Sequence, residues 1–328
     1  MTNPCAADTR LIALYRDMLP RKIFDAHMHV WGEGTVRELL KKPNYNKEIL
    51  GVNDYLEDLT PLYPGVEEIR VNAIPMPDAS LPEDPEGIRE KMNKKVTEEV
   101  SLGRAAMGTG FILPSDSENT IETIASTDGI KAFKCYCFSR GASDCNTMEI
   151  GDFLPEAAFP VMERHKIPVI IHMMRDALAD EKNLNYIRTM AKRYPDAKLI
   201  LAHSARGFAA YSSVKYLPML SDLDNIYTDI AAINEPAAIM AALKYSKKKT
   251  LFGTDYPVCL YRGRAISFTD GFAWLIEDAA PKSPAPAIMA AEELFAIYQS
   301  ALLMDLDATD IEDLFYNNAL RAFNIKKV

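Results

Sequence analysis

Lys22-Ile-Phe-Asp-Ala-His-Met-His-Val30 is an apolar run interrupted by one acid and two histidines, and its reading decides the fold. Successive side chains of a strand alternate faces, so His27 and His29 point the same way near the segment's C-terminal end. Seven further segments of this kind follow: Glu68–Ile74, Ala106–Leu113, Ile130–Cys137, Ile167–Met173, Lys198–His203, Asn225–Ala231 and Thr250–Tyr256. Each is rich in Ile, Val, Leu, Phe or Ala and is bounded by Pro, Gly, Asp or Asn. Helix-like stretches lie between them, among them Glu83–Leu102, Pro155–His165, Asn183–Tyr194 and Glu235–Ser246. Eight β units with intervening helices predict an α/β chain folded as a (β/α)8 TIM barrel. A doubly wound sheet usually has fewer strands.

Asp8–Leu19 reads as a helix ahead of the barrel, and Pro286–Leu303 and Thr309–Phe323 as extra C-terminal helices. Residues 1–328 are thus expected to form a single domain, with 1–21 as an N-terminal extension and 286–328 as the C-terminal helices. Gly32–Tyr63 and Cys259–Thr269 are long excursions after strands one and eight, where barrel active sites are built.

Composition narrows the function. Lys and Arg number 37 against 46 Asp and Glu, a net charge of −9, which argues against a nucleic-acid surface. No apolar run approaches the roughly 20 residues of a membrane span. Asp8, Arg10, Arg16 and Asp17 break up the N-terminal apolar stretches, unlike a signal peptide. Five cysteines without CxxC spacing do not resemble a disulfide framework, so a cytoplasmic protein is expected.

Four of the five histidines sit at strand ends: His27, His29, His172 and His203. The fifth, His165, ends a helix and is expected to be solvated. Alternation groups Ile170 with His172, Leu201 with His203, and Leu251 and Gly253 with Asp255. Each polar residue would then cap a line of small or apolar side chains pointing into the barrel. A lone HxH is a weak signal, and a single buried histidine is more often structural than ligating. Four histidines and an acid converging on one barrel mouth suit Zn²⁺ or a similar divalent ion.

Phe24-Asp-Ala-His-Met-His-Val-Trp31 resembles the strand-one DxHxH(x)W motif of the amidohydrolase superfamily. Val169-Ile-Ile-His172 and Leu199-Ile-Leu-Ala-His203 resemble its strand-five and strand-six histidines, and Leu251-Phe-Gly-Thr-Asp-Tyr-Pro257 its strand-eight aspartate. Tyr316-Asn-Asn-Ala-Leu-Arg-Ala-Phe323 is similar to its C-terminal helix. The likeness is greatest to the branch of aminocarboxymuconate semialdehyde decarboxylase, resorcylate decarboxylase, and pyrone dicarboxylate and sugar lactonases.

The resemblance implies that His27, His29, His172 and Asp255 surround one divalent metal, Zn²⁺ first, with Mn²⁺ or Fe²⁺ as alternatives. In hydrolytic members the metal acidifies a bound water, with Asp255 accepting its proton and delivering it to the leaving group. His203 would polarise the substrate carbonyl or act as a second acid/base. Barrels of this branch are often dimers, so a homodimer is expected. After His203 the chain reads Ser-Ala-Arg-Gly where relatives often carry an HxGG turn.

Within Gly129-Ile-Lys-Ala-Phe-Lys-Cys-Tyr136, alternation puts Lys134 with Ala132 and Tyr136, and Phe133 with Cys135 and Cys137. The latter set suits packing under helices, so Lys134 is expected inside the barrel; the resemblance implies an interior or substrate-facing ammonium there rather than a bridge between two metals. Arg175, Arg206, Arg262 and Arg264 follow the strand ends, and guanidinium forks suit carboxylates and phosphates. They are candidate substrate contacts, as are Trp31, Tyr136 and Tyr256 as a flat wall; salt bridging and packing are the simpler alternatives. Tyr261-Arg-Gly-Arg264 could serve as a lid.

The leading expectation is a metal-dependent hydrolase of a small anionic, carboxylated lactone or cyclic amide. The alternatives are a non-oxidative decarboxylase of a carboxylated aromatic or muconate-like compound, and a silent barrel used for binding.

Overall fold

The computed structural model describes residues 4–36, 40, 46–76, 87–137, 148–173 and 177–326. Eight strands form one sheet in sequence order: β1 (Lys22–Val30), β2 (Glu68–Pro75), β3 (Met107–Phe111), β4 (Ile130–Cys135), β5 (Val169–Ile171), β6 (Leu199–Leu201), β7 (Ile226–Asp229) and β8 (Thr250–Leu251). Every neighbouring pair is parallel. The two ends of the sheet meet: the Ala26 N–H donates to the Phe252 carbonyl at 2.9 Å and the Asp255 N–H to the His27 carbonyl at 2.8 Å. Met28 also bridges Tyr256 in parallel. With helices packed around it, this is the expected TIM barrel.

The inner side chains fill the barrel from the bottom upward. Phe24, Ala26, Ile74, Met107, Ala132, Ile170, Ile200 and Leu251 form one buried cluster with Tyr316, Leu320 and Phe323 of the C-terminal helices. Phe24 stacks on Phe323 (centroids 6.1 Å apart) and meets Tyr316 edge-on (6.4 Å), so the chain's end plugs the barrel floor opposite the histidines. Phe133, Cys135, Cys137, Ile171 and Leu199 belong to the outer cluster under the helices. The inward orientation expected for Lys134 follows from that partition.

Strict alternation fails at two places, both under the histidines. In β1 the register with β2 slips between Asp25 and Met28, a bulge that lets Ala26 join the inner cluster while His27 and His29 still face the mouth. In β6 the inward residues are Ile200 and Ala202, whereas Leu201 packs outside. His203 therefore does not share a face with Leu201 as alternation had it. It reaches the mouth because the ladder ends at Leu201 and the backbone turns over.

Two other expectations gain detail. The excursion after Asp255 contains an antiparallel hairpin, β9 (Gly263–Phe268) with β10 (Gly271–Ile276). His165 is not merely solvated, since its ring pairs with the Glu122 carboxylate. Cys5, Cys135 and Cys259 are free thiols. Among the described residues no helix is long and apolar enough to cross a membrane.

Candidate metal centre

Asp25 fixes the base of the site. Its carboxylate accepts from the His27 N–H (2.9 Å), the Thr254 N–H (3.1 Å) and the Thr254 hydroxyl (2.6 Å), stitching β1 to the segment after β8. Burial raises its pKa to about 7 despite these bonds. The stitch presents His27, His29 and Asp255 together.

The Asp255 Oδ1 lies 3.0 Å from His29 Nε2 and 3.6 Å from His27 Nε2. All three residues are buried, and they form one of two groups among the described residues able to hold a metal ion. Burial, with the nearby Lys134 charge, keeps His27 well below the ordinary histidine pKa. Burial likewise lowers His29. Burial would raise Asp255, but the neighbouring His203, the hydrogen bond with His29 and the His27 ring overcome it and bring the carboxyl to about 2. Two neutral imidazole nitrogens and an ionised carboxylate oxygen are the donor set a borderline divalent cation takes, so these residues fit the group. His29 Nδ1 is buried without a hydrogen-bond partner.

His172 stands one ring away. Its centroid is 5.1 Å from that of His203, and it belongs to neither metal-capable group. Burial, then His203 and Lys134, hold its pKa well below the ordinary value.

His203 owes its place to an unusual turn. His203, Ser204, Ala205 and Arg206 all have positive φ, between 51° and 64°, and the Gly207 N–H closes the left-handed turn on the His203 carbonyl at 2.6 Å. Such backbone costs about 1–2 kcal/mol per non-glycine residue. Contacts from β7 hold it: the His203 N–H donates to Asp229 Oδ1 at 2.7 Å, and the Ser204 hydroxyl to the Asp229 carbonyl at 3.3 Å. His203 Nδ1 is 2.9 Å from the Ala231 carbonyl, which can only accept. Its Nε2 is left as the atom able to exchange a proton with a bound molecule. Behind the ring stacks Phe208 (5.4 Å), itself packed against Phe272 and Trp274 of the hairpin.

Lys134 lies inside the site. Its Nζ is 3.2 Å from His27 Nε2 and 5.2 Å from the centre of the Tyr136 ring. Burial lowers its pKa to about 8, with Asp229 and Asp255 opposing. The Tyr136 hydroxyl donates to the Pro75 carbonyl, which leaves the ring to face His172 at 6.3 Å.

The other candidates scatter. Trp31 is fully buried, with its indole N–H on the Lys47 carbonyl. Tyr256 donates to Asp58. Arg206 lies over Phe272 and lines a cavity of about 430 Å³ together with Tyr211, Tyr216 and Asp270. Arg262 is not brought to the histidines; it forms a two-pronged ion pair with Asp8 of the N-terminal helix (3.2 and 3.0 Å). Arg264 donates to the Asn234 carbonyl and pairs with Glu235 and Glu292. Arg175 lies outside the described residues.

Sequence reasoning passed over Asp229. It carried the same signal as Asp255, an acid at the C-terminal end of a strand, but no matching motif.

The amidohydrolase family model matches residues 24–325. No curated protein sequence matches significantly. Among solved structures, 4-oxalomesaconate hydratase from Rhodopseudomonas palustris is similar with a TM-score of 0.59 at 14% identity, covering 92% of this chain and 96% of that one. 2,6-Dihydroxybenzoate decarboxylase in complex with 2,6-dihydroxybenzoate has a TM-score of 0.59 at 13% identity, covering 94% and 99%. Dihydroorotase from Saccharomyces cerevisiae, in complex with 5-fluoroorotic acid, has a TM-score of 0.51 at 13% identity, covering 93% and 84%. At these identities the likeness is one of fold.

Proposed function

Because this chain belongs to the amidohydrolase family, we propose that it is a metal-dependent enzyme that hydrolyses a small carboxylated lactone or cyclic amide. The observation that carries this reading is the buried triad of His27, His29 and Asp255, with neutral imidazoles facing an ionised carboxylate. These residues, with His172 as a fourth ligand, would hold one divalent cation, Zn²⁺ first. When bound, such a cation supplies Lewis-acid polarisation at the barrel mouth.

The chain's own groups divide the remaining work. Asp255, ionised and held by His29, accepts the proton of the attacking water and returns it to the leaving group. His203, tethered through Nδ1, offers Nε2 to the substrate carbonyl or to the departing atom. The Lys134 ammonium complements a substrate carboxylate, with Tyr136 beside it. A decarboxylase of a carboxylated aromatic or muconate-like compound is the second reading. The aromatic cluster of Phe208, Phe272 and Trp274 beside His203 favours it, since aromatic surroundings suit a flat unsaturated ring.

Elemental analysis of protein purified without chelator tests the common part. About one equivalent of divalent metal is expected in the wild type, and little in His29→Ala or His172→Ala. Full metal in His29→Ala would remove the triad from consideration. Acid release from lactones and cyclic amides, against CO₂ release from carboxylated aromatics, then separates the two reactions. His203→Ala should keep metal and lose turnover in either.

A further inference from the structure

Asp229 is fully buried at the end of β7 and reaches both histidines that matter, with a different oxygen for each. Its Oδ2 is 2.9 Å from His27 Nδ1, and its Oδ1 accepts from the His203 N–H at 2.7 Å and the Ala231 N–H at 3.2 Å. The other nitrogen of His27 faces Lys134 Nζ at 3.2 Å, and an ammonium can only donate. Both neighbours therefore demand the same tautomer: Nδ1 carries the proton, and Nε2 presents its lone pair toward Asp255.

We infer that Asp229 is a positioning residue that fixes the His27 tautomer and, through its second oxygen, anchors the left-handed turn carrying His203. One carboxylate thus couples the proposed metal ligand to the proposed acid/base. The consequence for metal binding rests on the proposed function; the tautomer does not. In general, removing the carboxylate behind a ligating histidine weakens metal binding about 10–100-fold.

Asp229→Asn separates the two duties. Two backbone N–H groups converge on the Oδ1 position, so the amide oxygen must stay there and the amide N–H₂ must face His27 Nδ1. That nitrogen then becomes an acceptor, and the proton moves to Nε2, so the Lys134 ammonium gives up its hydrogen bond there. The His203 anchor survives, while the ligand lone pair is turned away from Asp255. Asp229→Ala removes both.

The test is ¹⁵N NMR of the histidine side chains in chelator-treated protein, followed by Zn²⁺ titration against a competing chelator. The wild type should show His27 protonated at Nδ1. Asp229→Asn should show it inverted to Nε2, with Zn²⁺ bound about 10–100-fold more weakly and the His203 signals unmoved. A wild-type His27 protonated at Nε2 overturns the inference even if Asp229→Asn does not fold. So does an Asp229→Asn protein with unchanged tautomer and unchanged Zn²⁺ affinity. If the wild type binds no Zn²⁺, the proposed function fails and the tautomer result still decides the role of Asp229.

Discussion

Replacing Arg262 by Met should act on stability before it acts on substrate. The Asp8 side chain is 2% exposed, and its carboxylate accepts from the Cys5 N–H (2.7 Å), the Ile288 N–H (2.9 Å) and both prongs of Arg262. Losing a partner of a buried pair costs about 3–5 kcal/mol. The two backbone donors remain in the variant, and the Arg262 side chain is 33% exposed, so solvent screening reduces this to about 2 kcal/mol. With an unfolding entropy of about 2.1 cal/mol/K per residue, 328 residues give roughly 0.7 kcal/mol/K, a fall in Tm of about 3 °C. Urea denaturation at pH 7 reads the difference directly, and Asp8→Asn in a double-mutant cycle reads the coupling.

The pH dependence has a definite sign. Burial raises the Asp8 carboxyl, but Arg262 and the Ile288 and Cys5 N–H groups hold it below its ordinary 3.8. Its contribution is complete above that value and is lost as pH falls through the lower folded pKa. The gap between wild type and Arg262→Met should therefore be constant near neutrality and close in acid. An unchanged urea midpoint in Arg262→Met, with a raised KM, would refute the clamp and return Arg262 to the substrate.

Lys134→Met should leave the fold intact and raise KM for a carboxylated substrate at least tenfold with a smaller change in kcat, as measured by steady-state kinetics; an unchanged KM would mean that the ammonium does not meet the substrate. Ala205→Gly relieves about 1–2 kcal/mol of left-handed strain but loses a buried methyl worth about 0.8 kcal/mol, so its stability should stay within about 1 kcal/mol of wild type. Ala205→Val adds a β-branch to the same strained backbone and should unfold at clearly lower denaturant, and equal stability of the two variants would argue against the left-handed turn. Phe323→Ala, which empties the barrel floor under Phe24, should cost about 3–5 kcal/mol without lowering metal content, as chemical denaturation and elemental analysis would show.

The β units were legible because barrel strands are apolar on both faces and are punctuated by turn residues. All eight were found in order, and β1 was found to the residue. The ends of β5, β6 and β8 were read too long, because apolar character continues after the ladder hydrogen bonds stop. Lys134 was placed inside by parity alone, since the residues flanking it are hydrophobic enough to define the outer face. Parity misled at Leu201 and His203, where four left-handed residues replace the glycines that would have announced a turn. Arg262 and Arg264 stood close to Asp255 in sequence but are claimed by Asp8, Glu235 and Glu292, partners that no local pattern reveals.

What the sequence determined by itself is the period and order of the elements and the residue types delivered to the strand ends, since these depend on local hydrophobic patterning and steric rules. Only the tertiary structure decided which of those residues meet. The β1 bulge, the stitch of Asp25 to Thr254 and the two-sided grip of Asp229 join residues 26 to 229 positions apart. Those contacts depend on barrel closure, which sets distances between strands that chain separation does not encode.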